Sequence, residues 1–408
     1  MHRIITMSCE LDKIRNVENG FLYPAINAKT QIRFLRKCPE HEENGSLRYT
    51  IEVYNVSDLP STEYAALSYT WGDAHNDQDL REITINDQIF AIRRNLFGFF
   101  ETAAEKGESG LLFVDAICIN QLDLAERRCQ VQEVIGVYRN ASNVIAWLGI
   151  PESGEELACV RSLTSPTADR KESRKWTEQQ HDGFDYLSRH TYWTRVWIVQ
   201  EVFLAQRIEV WCERYTFPLS LFSNDSPAAR PPHMQRYSMN GRSITAAEVV
   251  RLALSPAENV VAHRTGRLAK WLSSPSFQGF GNGFFDEEPT WTTNPYMAAG
   301  TYMVYETLSK FGVQNCSDVR DKLYGFLGLL NESSRARVDP DYTKPSSYAC
   351  YQALKIGLEE MNGELGSKAG PRSPFKEYTI SIPYYRDVRG AFSMTQTEMI
   401  AEKGCYHV

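Results

Sequence analysis

Trp193, Arg195, Trp197, Gln200 and Glu201 fall within the run YWTRVWIVQEV, from Tyr192 to Val202. Read as a helix of 3.6 residues per turn, the four-residue steps from Trp193 to Trp197 to Glu201 place two indoles and a carboxylate along one face, flanked by Gln200 and Arg195. Burial under the indoles would favour the neutral acid and Arg195 the anion, so spacing alone leaves the charge state open. Glu201 is the first candidate for a functional carboxylate, and a structural ion pair with the tryptophans in the core fits the same spacing.

A second constellation lies in LFVDAICINQLDLAERRCQV, from Leu112 to Val131. Asp115 closes the apolar run Leu111 to Val114, and Asn120 and Gln121 precede a helix start at Asp123. A strand end next to a helix N-terminus offers acceptors and free N–H groups to ribose hydroxyls or phosphate, which suits a nucleotide. Helix capping needs the same residue types. Upstream, YAALSYTWGD runs as a strand from Tyr64 to Tyr69 into a polar loop, and Ser68, Tyr69, Trp71 and Gly72 join the candidate binding set. Ser68 has neither a GxSxG elbow nor a nearby histidine in sequence to activate it, and the loop residue His75 reads as solvated.

Other chemistries are disfavoured. The chain lacks GxxxxGK[ST] and GxGxxG phosphate loops, HExxH and CxxC pairs, and its nine cysteines are scattered, so no metal site and no disulfide framework is expected. Its net charge of −7 argues against nucleic acid as a partner. No apolar run approaches the roughly 20 residues that span a bilayer, so neither a membrane partner nor a non-cytoplasmic location is expected.

These residues need a scaffold, and the pattern supplies one. Gln31 to Leu35 and Arg48 to Tyr54 alternate as short strands, and Ile83 to Ile92 reads as a hairpin turning at Asn86-Asp87. Asn95 to Glu105 reads as a helix ended by Gly107, and Asp123 with Glu126 as a capping box opening a helix that ends near Asn140. Asn143 to Leu148 and Ile208 to Cys212 read as further strands; strands alternating with helices favour a parallel sheet. Glu152 to Gln180 reads as a surface helix or loop. Pro, Ser, Asn and Gly accumulate from Pro218 to Ser243 and from Ser273 to Pro295, marking a boundary near 215 to 245. Asp318 to Leu330 and Ser346 to Met361 read as helices, and the lack of a closing element before Val408 reads as a short or truncated form.

The three blocks together resemble the fungal heterokaryon incompatibility (HET) domain family, with its pattern Y-x-A-L-S-Y-x-W-G, then W-I-D-x-I-C-I-N-Q-x-D-x-x-E-R-x-x-Q-V, then W-x-R-x-W-x-x-Q-E. Tyr64, Ala66 to Tyr69, Trp71, Gly72, Asp115, Ile117 to Gln121, Asp123, Glu126, Arg127, Gln130, Val131, Trp193, Arg195, Trp197, Gln200 and Glu201 carry the match. Phe113 stands where the family commonly has Trp. The resemblance covers about 61 to 205, and Asp318 to Leu329 with Pro340 to Tyr342 looks like the segment that often follows it.

What the resemblance implies is an α/β fold: a TIR-like or flavodoxin-like parallel sheet flanked by helices, then a mainly helical C-terminal region. The expected divisions are 1–60 as lead-in strands, 61–215 as the HET domain, 216–300 as a loop-rich linker and 301–408 as the helical region. The family acts in non-self recognition, where fusion of incompatible cells ends in growth arrest and cell death. Some TIR domains, a more distant resemblance through Leu67 to Tyr69 and the W-x-x-x-E of Trp197 and Glu201, cleave NAD.

The resemblance thus implies two mechanisms. In one, NAD is the substrate, no resident cofactor is needed, and Glu201 stabilises an oxocarbenium-like transition state as the cationic nicotinamide departs, with Trp71 or Trp193 stacked on a base. In the other, the domain is a non-enzymatic signalling module working through self-association or an incompatibility partner protein. A Glu201 carboxylate lining a cleft with Ser68, Asp115 and Asn120 favours the first, burial against Arg195 or Arg127 favours the second, and catalysis that appears only on assembly combines the two.

Overall fold

Period-two alternation builds the strands and longer periodic runs build the helices that cover them. The computed structural model describes residues 11–38, 47–72, 76–165, 176–223, 255–265, 299–368, 388 and 390–392. Asp73, His75, most of the expected 216–300 linker and most of the chain after 368 lie outside the described residues. Of the described residues, those up to 165, 176–187 and 205–219 form one compact unit, and 188–204 with those from 220 onward form a second.

The first unit is an α/β structure around a nine-stranded mixed sheet. Its strands are β1 (Gln31–Lys37), β2 (Arg48–Asn55), β3 (Tyr64–Tyr69), β4 (Leu80–Ile85), β5 (Gln88–Arg93), β6 (Leu111–Phe113), β7 (Asn143–Trp147), β8 (Ile208–Cys212) and β9 (Tyr215–Pro218), in the order β5-β4-β2-β1-β6-β3-β7-β8-β9. The expected parallel arrangement occupies the centre, β6-β3-β7-β8. The wings differ: β1 is antiparallel to β2 and β6, β4 to β5, and β8 to β9. Local turn chemistry accounts for β4–β5, because Asn86 and Asp87 adopt φ of 50 and 62, the left-handed pair that a two-residue hairpin requires. The expected lead-in strands are β1 and β2 of this same sheet.

The helices of this unit are α1 (Leu11–Glu18), α2 (Arg94–Glu105), the short α3 (Asp115–Cys118), α4 (Leu124–Asn140), α5 (Gly154–Ser162) and α6 (Glu178–Ser188), which ends at the boundary. Ala66 pairs with Phe113 while Tyr69 pairs with Trp147, so alternation puts Phe113 and Trp147 on opposite faces of the sheet. Phe113 meets Tyr138 of α4, rings 6.2 Å apart, and Trp147 meets Phe99 of α2, 5.8 Å apart. The two helices therefore cover the two faces. Each fully buried aromatic of this kind contributes about 1.5–3 kcal/mol of burial free energy.

In the second unit the described elements are helical: α7 (Val196–Leu204), α8 (Pro256–Arg264), α9 (Val304–Phe311), the short α10 (Asp321–Tyr324) and α11 (Glu332–Arg335), and α12 (Ser346–Lys368). The helix expected over 318–330 is confined to the four residues of α10, and turns follow. Two glycines explain this. A Cβ at Gly325 would overlap the Val196 side chain, and the Gly328 N–H turns to the Gln200 amide oxygen instead of a helical carbonyl. Among the described residues no helix is long and apolar enough to cross a membrane.

Candidate functional site

The predicted residues fall into two groups, one in each unit. In the first, parallel strands β3 and β6 end side by side, and the chain beyond each carries the polar residues, the sheet edge where α/β proteins bind ligands. The Trp71 indole N–H donates to the Asp115 carboxylate, 3.2 and 3.1 Å from its two oxygens, which also accepts the Ala116 N–H at 2.7 Å. The Gln121 amide donates to the Asp115 carbonyl at 2.9 Å. Trp71, Asp115 and Gln121, three of the candidate binding residues, thus form one half-buried corner.

The loop carrying Trp71 is pinned from beneath. Asn95 donates to the Thr70 carbonyl at 2.6 Å, the Trp147 indole donates to the Asn95 side chain at 3.0 Å, and Gly72 turns with φ +78. Arg93, missed in the sequence, donates to the Gly72 carbonyl at 2.5 Å, pairs with Asp12 at 3.0 Å and lies 5.6 Å from the Trp71 ring centre. The Lys13 ammonium lies 5.4 Å from that ring. The indole therefore carries two cations, as the negative π-face of a tryptophan favours.

Ser68 and Tyr69 are buried within β3. Asn120 helps shape the turn into α4: its side-chain oxygen accepts the Leu122 N–H at 3.3 Å. Asp123 caps α4, accepting from the N–H groups of Ala125 and Glu126 at 2.9 and 3.0 Å. The reciprocal half of the expected capping box is replaced. Glu126 takes the Asn120 N–H at 2.7 Å and clasps Arg33 of β1 through both oxygens, at 2.6 and 3.0 Å. Arg33 and Glu126 are both buried, and Arg33 also donates to the carbonyls of Pro24 and Cys118. Its one sequence signal is an arginine inside the apolar strand IRFL.

The second group begins with a correction. Trp193 lies in a 3-10 turn, Thr191–Thr194, and Arg195 is extended, so α7 starts only at Val196 and Trp193 does not share its face. The break has a partner far along the chain: Asn315 donates its N–H to Thr194 and accepts that of Val196 at 2.9 Å. Trp193 is fully buried against Tyr192 and Phe222, and its carbonyl takes the Gln314 amide at 3.0 Å. His190, half-buried, is pushed down to about 4 by desolvation and accepts the Tyr192 N–H through its neutral imidazole.

On α7, Trp197 donates its indole N–H to Asp321 at 2.9 Å, and Asp321 also accepts the Tyr342 hydroxyl at 2.7 Å. Gln200, fully buried, accepts the Gly328 N–H at 3.1 Å. Glu201 is 6% exposed. Arg320 ties the same segment together, gripping Asp318 and donating to the carbonyls of Tyr342 and Lys344. The helix is thus a brace that holds the segment from Asp318 to Tyr342 by its side chains. Asp321 and Tyr342 lie in the following segment singled out in the sequence, but their joint role is set by folding. Among the described residues no group of His, Cys, Asp and Glu is placed to hold a metal ion.

Comparison with known proteins agrees with the blocks. The family profile described as heterokaryon incompatibility protein (HET) matches residues 64–201. The chain is similar to Heterokaryon incompatibility protein 6, OR allele, of Neurospora crassa, at 22% identity over 81% of this chain and 52% of that protein. It therefore spans about half the length of that curated relative. No solved structure matches. Residues 64–201 of this chain, holding both the Trp71–Asp115 corner and the α7 brace, belong to the heterokaryon incompatibility family.

Proposed function

We propose that this chain acts in fungal heterokaryon incompatibility, the non-self recognition response that ends in growth arrest and cell death, and that it does so as a signalling module. One observation carries the choice between the two mechanisms. Trp197 and Gln200 are committed to Asp321 and Gly328, and Glu201 is 6% exposed, so the W-x-x-Q-E run works as internal structure. The name of the Neurospora crassa relative supports the process and leaves the chemistry open.

A second reading, NAD hydrolysis, is favoured by the Trp71–Asp115 corner, which is half-buried at the strand ends where nucleotides bind. Breaking the nicotinamide glycosidic bond expels a leaving group that is already a cation until the bond breaks, so one carboxylate near the ribose suffices. In that reading Glu201 must become reachable from solvent.

The test joins a cell assay to a chemical one. The chain, its Glu201→Gln variant and its Asp321→Ala variant are expressed in a fungal host and scored for growth arrest, and the purified proteins are incubated with NAD while nicotinamide is followed. Under the signalling reading, Glu201→Gln still arrests growth, Asp321→Ala does not, and no nicotinamide appears. Nicotinamide released by the unaltered chain and not by a folded Glu201→Gln protein would replace it with the enzymatic one.

A further inference from the structure

The N-terminal helix α1 is docked inside out. It buries Asp12 and Asn16, at 8% exposure each, and leaves Ile14 and Val17 at 37% and 63%. An amphipathic helix ordinarily buries its apolar stripe. Here polar groups do the docking, with Leu11 packing against Leu80 and Ala91.

Those polar groups grip an edge. Strand β5 is the last of the sheet, and Ala91 points its N–H and carbonyl outward; the Asn16 side-chain amide takes both, at 2.6 and 3.0 Å. This is what the peptide of a neighbouring strand would do. Asp12 adds the buried ion pair with Arg93, the last residue of the same strand. The helix ends at Gly20, whose φ of +71 turns the chain out of it, and Phe21 just beyond is anchored against Phe90, ring centres 4.6 Å apart.

We propose that α1 is a detachable guard over the β5 edge, and that β5, when uncovered, pairs antiparallel with β5 of a second copy of this chain. Three features select a second copy. Gln88–Arg93 contains no proline and no glycine, so its backbone can pair along its length. A two-fold axis at Ala91, whose outward groups must pair, sets Phe90 opposite Ile92 on both sides of the axis and so extends the apolar face of the strand through the junction. Beside the edge and outside α1, Ile89 at 52% and Leu22 at 75% are exposed apolar side chains. The surface belongs to the first unit and does not depend on whether the chain hydrolyses NAD or signals without doing so.

The experiment compares the full chain with a release variant, Asp12→Ala with Asn16→Ala, and with that variant carrying Ile89→Lys, by light scattering over a concentration series. Losing the guard's hydrogen bonds lowers the dissociation constant of the dimer about tenfold, and a lysine on the exposed edge reverses it. A release variant as monomeric as the unaltered chain, or a dimer that ignores Ile89→Lys, overturns the proposal. Should circular dichroism show the release variant unfolded, amide exchange at Ala91 in the unaltered chain decides. Protection that rises with protein concentration and does not rise in Ile89→Lys supports pairing, and protection independent of concentration refutes it.

Discussion

Each unit of this chain holds a tryptophan on an aspartate, and the two pairs do different things. Trp71 donates to Asp115 at 3.1 Å where both side chains are half-buried, and Trp197 donates to Asp321 at 2.9 Å where the carboxylate is 5% exposed. Nearly the same bond is a half-buried corner in one place and a buried strut in the other. Solvent decides which. In water a lost hydrogen bond is replaced by another, whereas a buried acceptor that is removed strands its donors. Similar sequence blocks therefore do not imply similar roles.

The largest effect expected from the comparison is Asp321→Ala. It deprives the Trp197 indole and the Tyr342 hydroxyl of a shared charged acceptor, two bonds of about 1.5–3 kcal/mol each, so the second unit should lose about 4 kcal/mol. Hydrogen exchange read separately in each unit checks it. Loss of protection spread evenly over both units would remove the distinction drawn here.

Acid sharpens the same contrast. Burial pushes His190 down to about 4 and His263 to about 3, both in the second unit. A histidine whose folded value is depressed binds its proton more weakly than in the unfolded chain, so its stability is present above the unfolded value near 6.5 and lost as pH falls toward the folded one. His190 alone accounts for roughly 3 kcal/mol between those limits. Unfolding monitored from pH 7 to 4 should show the second unit failing, and His190→Gln should flatten the slope. A pH-independent second unit would contradict the neutral, half-buried imidazoles.

Packing gives a smaller effect. A methyl group at Gly325 would overlap Val196 and stand 2.8 Å from the Asp321 carbonyl and 3.5 Å from Trp197, so Gly325→Ala should cost about 2 kcal/mol by forcing α7 and α10 apart. Chemical denaturation measures it. Tolerance of the alanine would mean that the brace is loosely packed.

Much of this was legible locally. The hairpin at Asn86-Asp87, the Asp123 cap and strands β3, β7 and β8 follow from residue types within a few positions of each other. What escaped depends on partners far away in the chain. Arg33 and Glu126 are 93 residues apart, so the capping box that Glu126 advertised gave way to a stronger ion pair. Asn315 interrupts the helix at Arg195, so the four-residue rhythm from Trp193 to Glu201 is real in sequence and broken in space. The helical pattern over 318–330 lost to Gly325 and Gly328, whose lack of side chains serves contact with α7.

The smallest stability effect belongs to the corner, and its smallness is the point. Asp115→Asn keeps an acceptor for the Trp71 indole and removes the charge, so stability should change by less than about 1.5 kcal/mol. Binding is a different matter. If the corner receives a nucleotide, as its place at the strand ends favours, the carboxylate is what orients Trp71 and meets a ribose hydroxyl, and the variant should weaken NAD binding without unfolding the unit. Titration with NAD, following the quenching of Trp71 fluorescence against a Trp71→Phe control, reads that directly. Equal binding by the unaltered chain and Asp115→Asn would make the corner a second strut, and the contrast between the two tryptophan–aspartate pairs would be one of exposure alone.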